Sequence, residues 1–305
     1  MSVRVELPDG ARCAVALSYD LEMCAGYSPD GVNHGRIMKP AQDYAVRLCD
    51  SAERFEVQLQ FFFVGNGFDV SDVEYLKNIV RRGHIIDNHT YSHLRLTTPD
   101  VEKLDAELAL TNRLLAERLD SASEVLRGPG GEPEGLNGRE ANQRAILKNG
   151  FRWVTCHMDT TMGKDGLDHD AAAPSRLTPY AYPTGLIEIP IQGWMDRAYF
   201  DRFRCVDGEA YAEWRSEYGH KPVPEGWTCP WTDRAALDGW IDYNLAAFDF
   251  AYENGLLWVP TWHPYSHYLH DPENRALPAL LEHARSKPRK VHLGTVRDAV
   301  KMLRR

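Results

Sequence analysis

Apolar residues in this chain come in short runs separated by stretches of helical spacing, and that alternation extends over most of its length. Residues 12 to 19 (Arg-Cys-Ala-Val-Ala-Leu-Ser-Tyr) form an apolar run expected of a buried parallel strand, ending on the acidic residues Asp20 and Glu22. Tyr44, Leu48 and Ala52 recur at helical spacing within residues 40 to 54. Val57 to Val64, with Phe61-Phe62-Phe63, reads as a second buried strand closed by Gly65-Asn66-Gly67. The alternation continues with a helix from Val73 to Arg82 stopped at Gly83, a strand from His84 to Asp87, and a long amphipathic helix from Pro99 to Leu119.

Further units follow the same order. Glu124 to Leu126 is a predicted strand, Glu140 to Lys148 a helix, Arg152 to Cys156 a strand, and Leu186 to Ile189 another. Residues from about 157 to 232 are rich in Pro, Gly, Tyr and Trp with little periodicity, which predicts long ordered loops that shape substrate selectivity. Asp233 to Glu253 is a predicted helix, Leu256 to Thr261 a strand, Pro272 to Ser286 a helix, and Thr295 to Leu303 a closing helix. Repetition of βα units at roughly 30-residue intervals predicts an α/β fold with a parallel sheet, open or closed into a barrel, whose ligands bind at the carboxyl ends of the strands.

Composition narrows the function classes. A length of 305 residues suits one large domain, and 43% hydrophobic with 26% charged residues is ordinary for a globular chain with a sizeable core. A net charge of -9 without a dense Lys/Arg stripe disfavours nucleic acid and anionic membrane surfaces as partners. The start lacks a signal-peptide pattern, no window approaches a membrane span, and the six cysteines form no CxxC pair, so a reduced, cytoplasmic setting is expected.

The candidate chemistry lies after the predicted strands. His89 and His93, in His89-Thr90-Tyr91-Ser92-His93, are four apart, which on a helical turn aims both imidazoles at one metal ion; the same spacing also serves plain packing. Asp20 and Glu22 follow a strand at i and i+2, so both carboxylates project to one side, as a ligand and a base or as a solvated turn. Thr90 and Ser92 are hydroxyls suited to orienting the imidazoles or capping a helix start. Arg127 of Arg127-Gly128-Pro129-Gly130 is suited to holding a carboxylate ionised, and Gly130 exposes a backbone N–H. Asp159, just after the strand at 152–156, suits either pairing with the Arg127 guanidinium or a plain structural place, and His263, presented after the last strand, suits donating a proton to a leaving group, though a lone histidine there is ambiguous.

This order of motifs, with an acidic strand end, HTYSH, RGPG, MDT and WHP, resembles the polysaccharide deacetylase family, the NodB-like carbohydrate esterase family four, from about residue 12 to 300. The resemblance implies a distorted (β/α) barrel, a divalent metal on His89 and His93, Arg127 paired with the catalytic base, and His263 as the acid. The first motif departs from the common Thr-Phe-Asp-Asp-Gly form, reading Ser18-Tyr19-Asp20-Leu21-Glu22. Relatives with an Asp-x-Asp version suggest Asp20 as base and Glu22 as metal ligand; the opposite assignment stays open. Gly130 stands where the family often has tyrosine, which keeps a backbone N–H as oxyanion donor and removes an aromatic wall.

The later segments resemble an intracellular branch containing cyclic imidases, allantoinase-like enzymes and peptidoglycan deacetylase-like proteins, many of them homo-oligomers. Zinc is the first expectation for the ion, with nickel, cobalt or manganese compatible with the same ligands. The expected reaction is hydrolysis of a C–N amide bond, first N-deacetylation of an N-acylated sugar or small soluble amide. A cyclic imide or ureide hydrolase and a non-catalytic carbohydrate-binding barrel are the competing readings.

Overall fold

A computed structural model describes residues 3–23, 36–37, 39–70, 72–159, 178–202 and 234–304. Its centre is a run of parallel strands in the order Ser18–Leu21, Gln60–Phe63, Ile85–Asn88, Val125–Glu132, Trp153–Asp159 and Ile187–Glu188, with Tyr180–Ala181 antiparallel at the far edge. Ile191–Gln192 also pairs parallel with the end of Trp153–Asp159. A second parallel sheet joins Leu257–Trp258, Cys13–Ala16 and Val291–Gly294, so the predicted strand at 12–19 is two strands hinged at Leu17.

The ring between the two ends is completed by individual hydrogen bonds, not by a continuous ladder. Gln192 N–H donates to the Val259 carbonyl at 3.1 Å, Asp20 N–H to the Trp262 carbonyl at 2.7 Å, and Tyr19 bridges Trp262 in parallel. These contacts give the (β/α) barrel its distorted form. They also bring the segment carrying Thr261 and His263 beside the strand carrying Asp20.

Strand alternation explains the core. On Gln60–Phe63, Phe61 and Phe63 face the large cluster under the helices Lys39–Arg54, Arg234–Asn254 and Ala276–Arg285. Phe62 faces the opposite way, toward Ala14, Ala16, Val125 and Val259 inside the ring. Leu104, Leu108, Leu126, Ile146 and Val154 form another cluster beneath the helices Val101–Leu119 and Glu140–Lys148. Fully burying one such Leu or Phe contributes roughly 1.5–3 kcal/mol, which is why each helix keeps an apolar stripe against the strands.

Several elements differ from the sequence expectation. The strand expected at 124–126 runs through Glu132 with a shift of register after Arg127, so Gly128 to Gly131 form a bulge that leaves the Arg127 end of the strand facing the ring. The helix expected at 272–286 is Ala276–Arg285, preceded by an unforeseen helix, Pro264–His270, with His263 as N-cap and Pro264 in its first turn. The strand expected at 186–189 is Ile187–Glu188, and the surrounding stretch expected as loops also holds the short strands Tyr180–Ala181 and Ile191–Gln192 and the helix Asp196–Arg202; residues 160–177 and 203–233 lie outside the described part. Cys13, Cys49 and Cys156 are buried free thiols. Among the described residues no helix is long and apolar enough to cross a membrane.

Candidate metal centre and its flanking acid and base

The two histidines converge through a loop, not through a helical turn as their spacing suggested. Ile85–Asn88 ends immediately before His89, and Thr90 and His93 both take left-handed backbone conformations, with φ of 60° and 61°. That costly backbone is held from several sides. The Asn88 side chain accepts from Thr90 N–H at 2.7 Å, Gly65 and Asn66 N–H donate to the Thr90 and Tyr91 carbonyls, and Tyr91 hydroxyl donates to Asp69. Ser92 donates through both its N–H and its hydroxyl to Glu107, which ties the loop to the helix Val101–Leu119.

Glu22, His89 and His93 form a group whose ligand atoms all lie within 4.8 Å of one another. His93 Nε2 is 2.6 Å and His89 Nε2 3.2 Å from Glu22 Oε2. The other nitrogen of His89, Nδ1, lies 3.0 Å from the Arg127 carbonyl, which only accepts, so it carries the proton. In the neutral ring Nε2 then turns a lone pair toward carboxylate oxygens, an arrangement that a cation stabilises. One carboxylate and two imidazoles, one of them oriented by a backbone carbonyl, form the donor set of an open three-ligand metal site. Burial alone would raise the Glu22 carboxyl, but His93, His89 and His263 outweigh it and hold the group well below the usual carboxylate range. Burial would likewise lower His93, yet Glu22 and Asp20 raise it.

Asp20 belongs to the other side of the cluster. Its Oδ1 accepts from Arg127 Nη1 at 3.1 Å, while Oδ2 stands 3.8 Å from His89 Nε2. Arg127 is fully buried above the Phe62 ring, 4.4 Å from its centroid, and donates to Ser18 Oγ at 2.8 Å and to Thr261 Oγ1. Sequence reasoning missed Ser18 and Thr261 because a hydroxyl at a strand end carries no pattern of its own. The Asp159 backbone ends the strand Trp153–Asp159, but its side chain, expected at Arg127, lies outside the described part. Gly130 sits in the bulge three residues beyond Arg127, with φ +79°.

His263 closes the third side, its Nε2 3.7 Å from Glu22 Oε1. A residue not singled out in the sequence governs it. Asp196, fully buried at the start of the helix Asp196–Arg202, accepts His263 Nδ1–H at 2.6 Å and His263 backbone N–H at 2.7 Å. Burial lowers the His263 pKa, but Asp196, Glu22 and Asp20 outweigh it and lift it to about 9. Burial raises Asp196 in turn, and His263 and His267 overcome it, keeping the aspartate below its ordinary value. His267, one helical turn after His263, is buried with Nε2 3.6 Å from Asp196, and burial lowers its pKa.

Residues 26–148, which include His89, His93 and Arg127, match the family model described as polysaccharide deacetylase. A peptidoglycan-N-acetylglucosamine deacetylase of Bacillus cereus is 28% identical over 120 residues, covering 38% of this chain and 37% of that protein. A second protein of that description from the same organism is 30% identical over 93 residues, 30% of this chain and 42% of its own length. The aligned stretch thus spans well under half of either relative. Among solved structures, one described as a putative polysaccharide deacetylase from Mycobacterium smegmatis superposes with a TM-score of 0.63 at 21% identity, covering 98% of this chain and 92% of that one. The Puue allantoinase superposes at 0.59 with 17% identity, covering 97% and 91%. At such identities these two superpositions establish the fold, the polysaccharide deacetylase barrel.

Proposed function

We propose that this chain is a NodB-like polysaccharide deacetylase and a metal-dependent hydrolase of C–N amide bonds, an N-deacetylase of N-acylated sugars or small soluble amides. The observation that carries the reading is the convergence of Glu22, His89 and His93 between an Asp20–Arg127 pair and an Asp196–His263 pair. Glu22, His89 and His93 would hold a divalent ion, zinc first, by its fit to imidazole and carboxylate donors. When bound, such an ion supplies a Lewis acid that acidifies water and polarises a carbonyl.

The remaining chemistry belongs to the chain. Asp20 accepts the proton of the attacking water on Oδ2, the oxygen that Arg127 leaves free. Arg127 keeps that carboxylate oriented through the contact from Nη1 to Oδ1. His263 is protonated at neutral pH and delivers its Nε2 proton to the departing nitrogen, while Asp196 fixes the ring with Nδ1–H turned inward. The Gly130 N–H is the candidate donor to the oxyanion, a contact whose loss typically costs about 10²–10³ in rate.

The test is acetate release from N-acetylated sugar monomers and oligomers, compared with ring opening of cyclic imides and ureides, with the metal-loaded protein before and after chelation. Chelator-sensitive acetate release supports deacetylation. Ring opening alone moves the assignment to the cyclic amide reading, and no hydrolysis of any of these compounds overturns it.

A further inference from the structure

Arg95, two residues beyond His93, reaches across to the bulge of Val125–Glu132. Its Nη2 donates to the Gly130 carbonyl at 3.4 Å, and its Nε stands 3.7 Å from Glu132 Oε1. Glu132 is buried and is itself fixed by the Thr97 hydroxyl at 2.9 Å. A Cβ built on Gly130 would fall 2.9 Å from Arg95 Nη2 and 3.1 Å from Nε, so a side chain at residue 130 would have to move the guanidinium and also take a left-handed backbone at φ +79°. A cationic, planar group thus lies against Gly130, whose N–H is the candidate oxyanion donor, where a bulkier apolar residue 130 would have built a wall.

Arg95 is anchored along one edge and open along the other. Its side chain is 58% exposed, and among the described residues Nη1 has no hydrogen-bond partner. Guanidinium presents N–H donors in a rigid fork that matches a carboxylate, and an anchored fork loses less freedom on binding than a mobile one. An aromatic wall would favour an uncharged sugar face; this one favours an anion.

Building on the hydrolase reading above, we infer that Arg95 selects N-acyl substrates that carry a carboxylate close to the scissile amide. The probes are N-acetylmuramic acid and its carboxamide, which differ in charge and hardly in size, titrated calorimetrically into the metal-loaded full chain. The acid is expected to bind about tenfold more tightly than the amide, with the ratio shrinking as salt rises. In Arg95→Gln the ratio falls to about one, whereas Arg95→Lys keeps part of it. Equal binding of the two probes by the unaltered chain, binding of neither, or a preference that survives Arg95→Gln would each overturn the inference. Because the readout is binding, its failure is separable from failure of the hydrolase reading, which chelator-sensitive acetate release decides.

Discussion

Asp196→Asn is the perturbation that separates a hydrogen-bonded histidine from a working general acid. The native carboxylate takes both His263 donors, Nδ1–H at 2.6 Å and the backbone N–H at 2.7 Å. An amide offers one oxygen and one NH2, so one of those donors is left facing a donor. The charge loss is the larger effect. His263 stands at about 9 with Asp196 in place; without that carboxylate, the first of its raising influences, burial pulls it back toward its ordinary 6.5 against Glu22 and Asp20, which remain. A complete return, ~2.5 pH units, would correspond to about 3 kcal/mol of imidazolium stabilisation and is the upper limit of the effect. At that limit the protonated fraction at pH 7 falls from nearly all to about a quarter. With the tautomer also released, kcat/KM is expected to fall by about 10²–10⁴. The sign for the pH profile follows. A general acid works while protonated, so activity is lost as pH rises through its pKa, and lowering that pKa moves the alkaline limb toward acid. The assay is kcat/KM for an N-acetylated sugar against pH, with circular dichroism confirming the fold. A folded variant whose alkaline limb stays in place and whose rate is within about twofold of the parent refutes the role given to the pair.

Three further outcomes follow from the same geometry. Asp20→Asn is expected to retain metal and lose turnover, whereas Glu22→Gln, which alters a proposed ligand, weakens metal binding by at least about tenfold; elemental analysis beside activity checks both, and the reverse pattern overturns the mapping. Gly65→Ala puts a Cβ 2.5 Å from Thr111 Oγ1 and 3.1 Å from the Tyr91 ring, so it should displace the His89–His93 loop and lower the melting temperature by several degrees, with metal affinity falling in parallel. Thr261→Val leaves an Arg127 N–H unpaired in a fully buried setting, for an expected loss of about 1–3 kcal/mol in denaturant titration.

Hydrophobic periodicity made much of the barrel legible. The helix at Glu140–Lys148 and the triple phenylalanine strand emerged from spacing alone, because their buried faces are continuous in sequence. The bulge after Arg127 was not legible as structure, since Gly-Pro-Gly reads as a turn unless the strand's neighbours are known. For the site, Asp20, Glu22, Arg127 and His263 were visible as polar residues directly after apolar runs. Asp196 carries the same signal, following Ile189-Pro190-Ile191-Gln192, but its short strand lies in a stretch too irregular to flag it. The helical reading of His89 and His93 failed for a definite reason. Spacing of four permits a shared ligand on a helix, and two left-handed residues achieve the same convergence in a loop, which no periodicity records.

The claim on which the rest depends is that Glu22, His89 and His93 hold a divalent ion that hydrolysis requires. Elemental analysis of the purified chain and of the His89→Ala, His93→Ala double variant, each followed by acetate-release kinetics, tests it most directly. About one ion per chain is expected in the parent, with loss of both the ion and turnover in the folded double variant. Equal metal content in the two proteins, or hydrolysis undiminished in the variant, would contradict it.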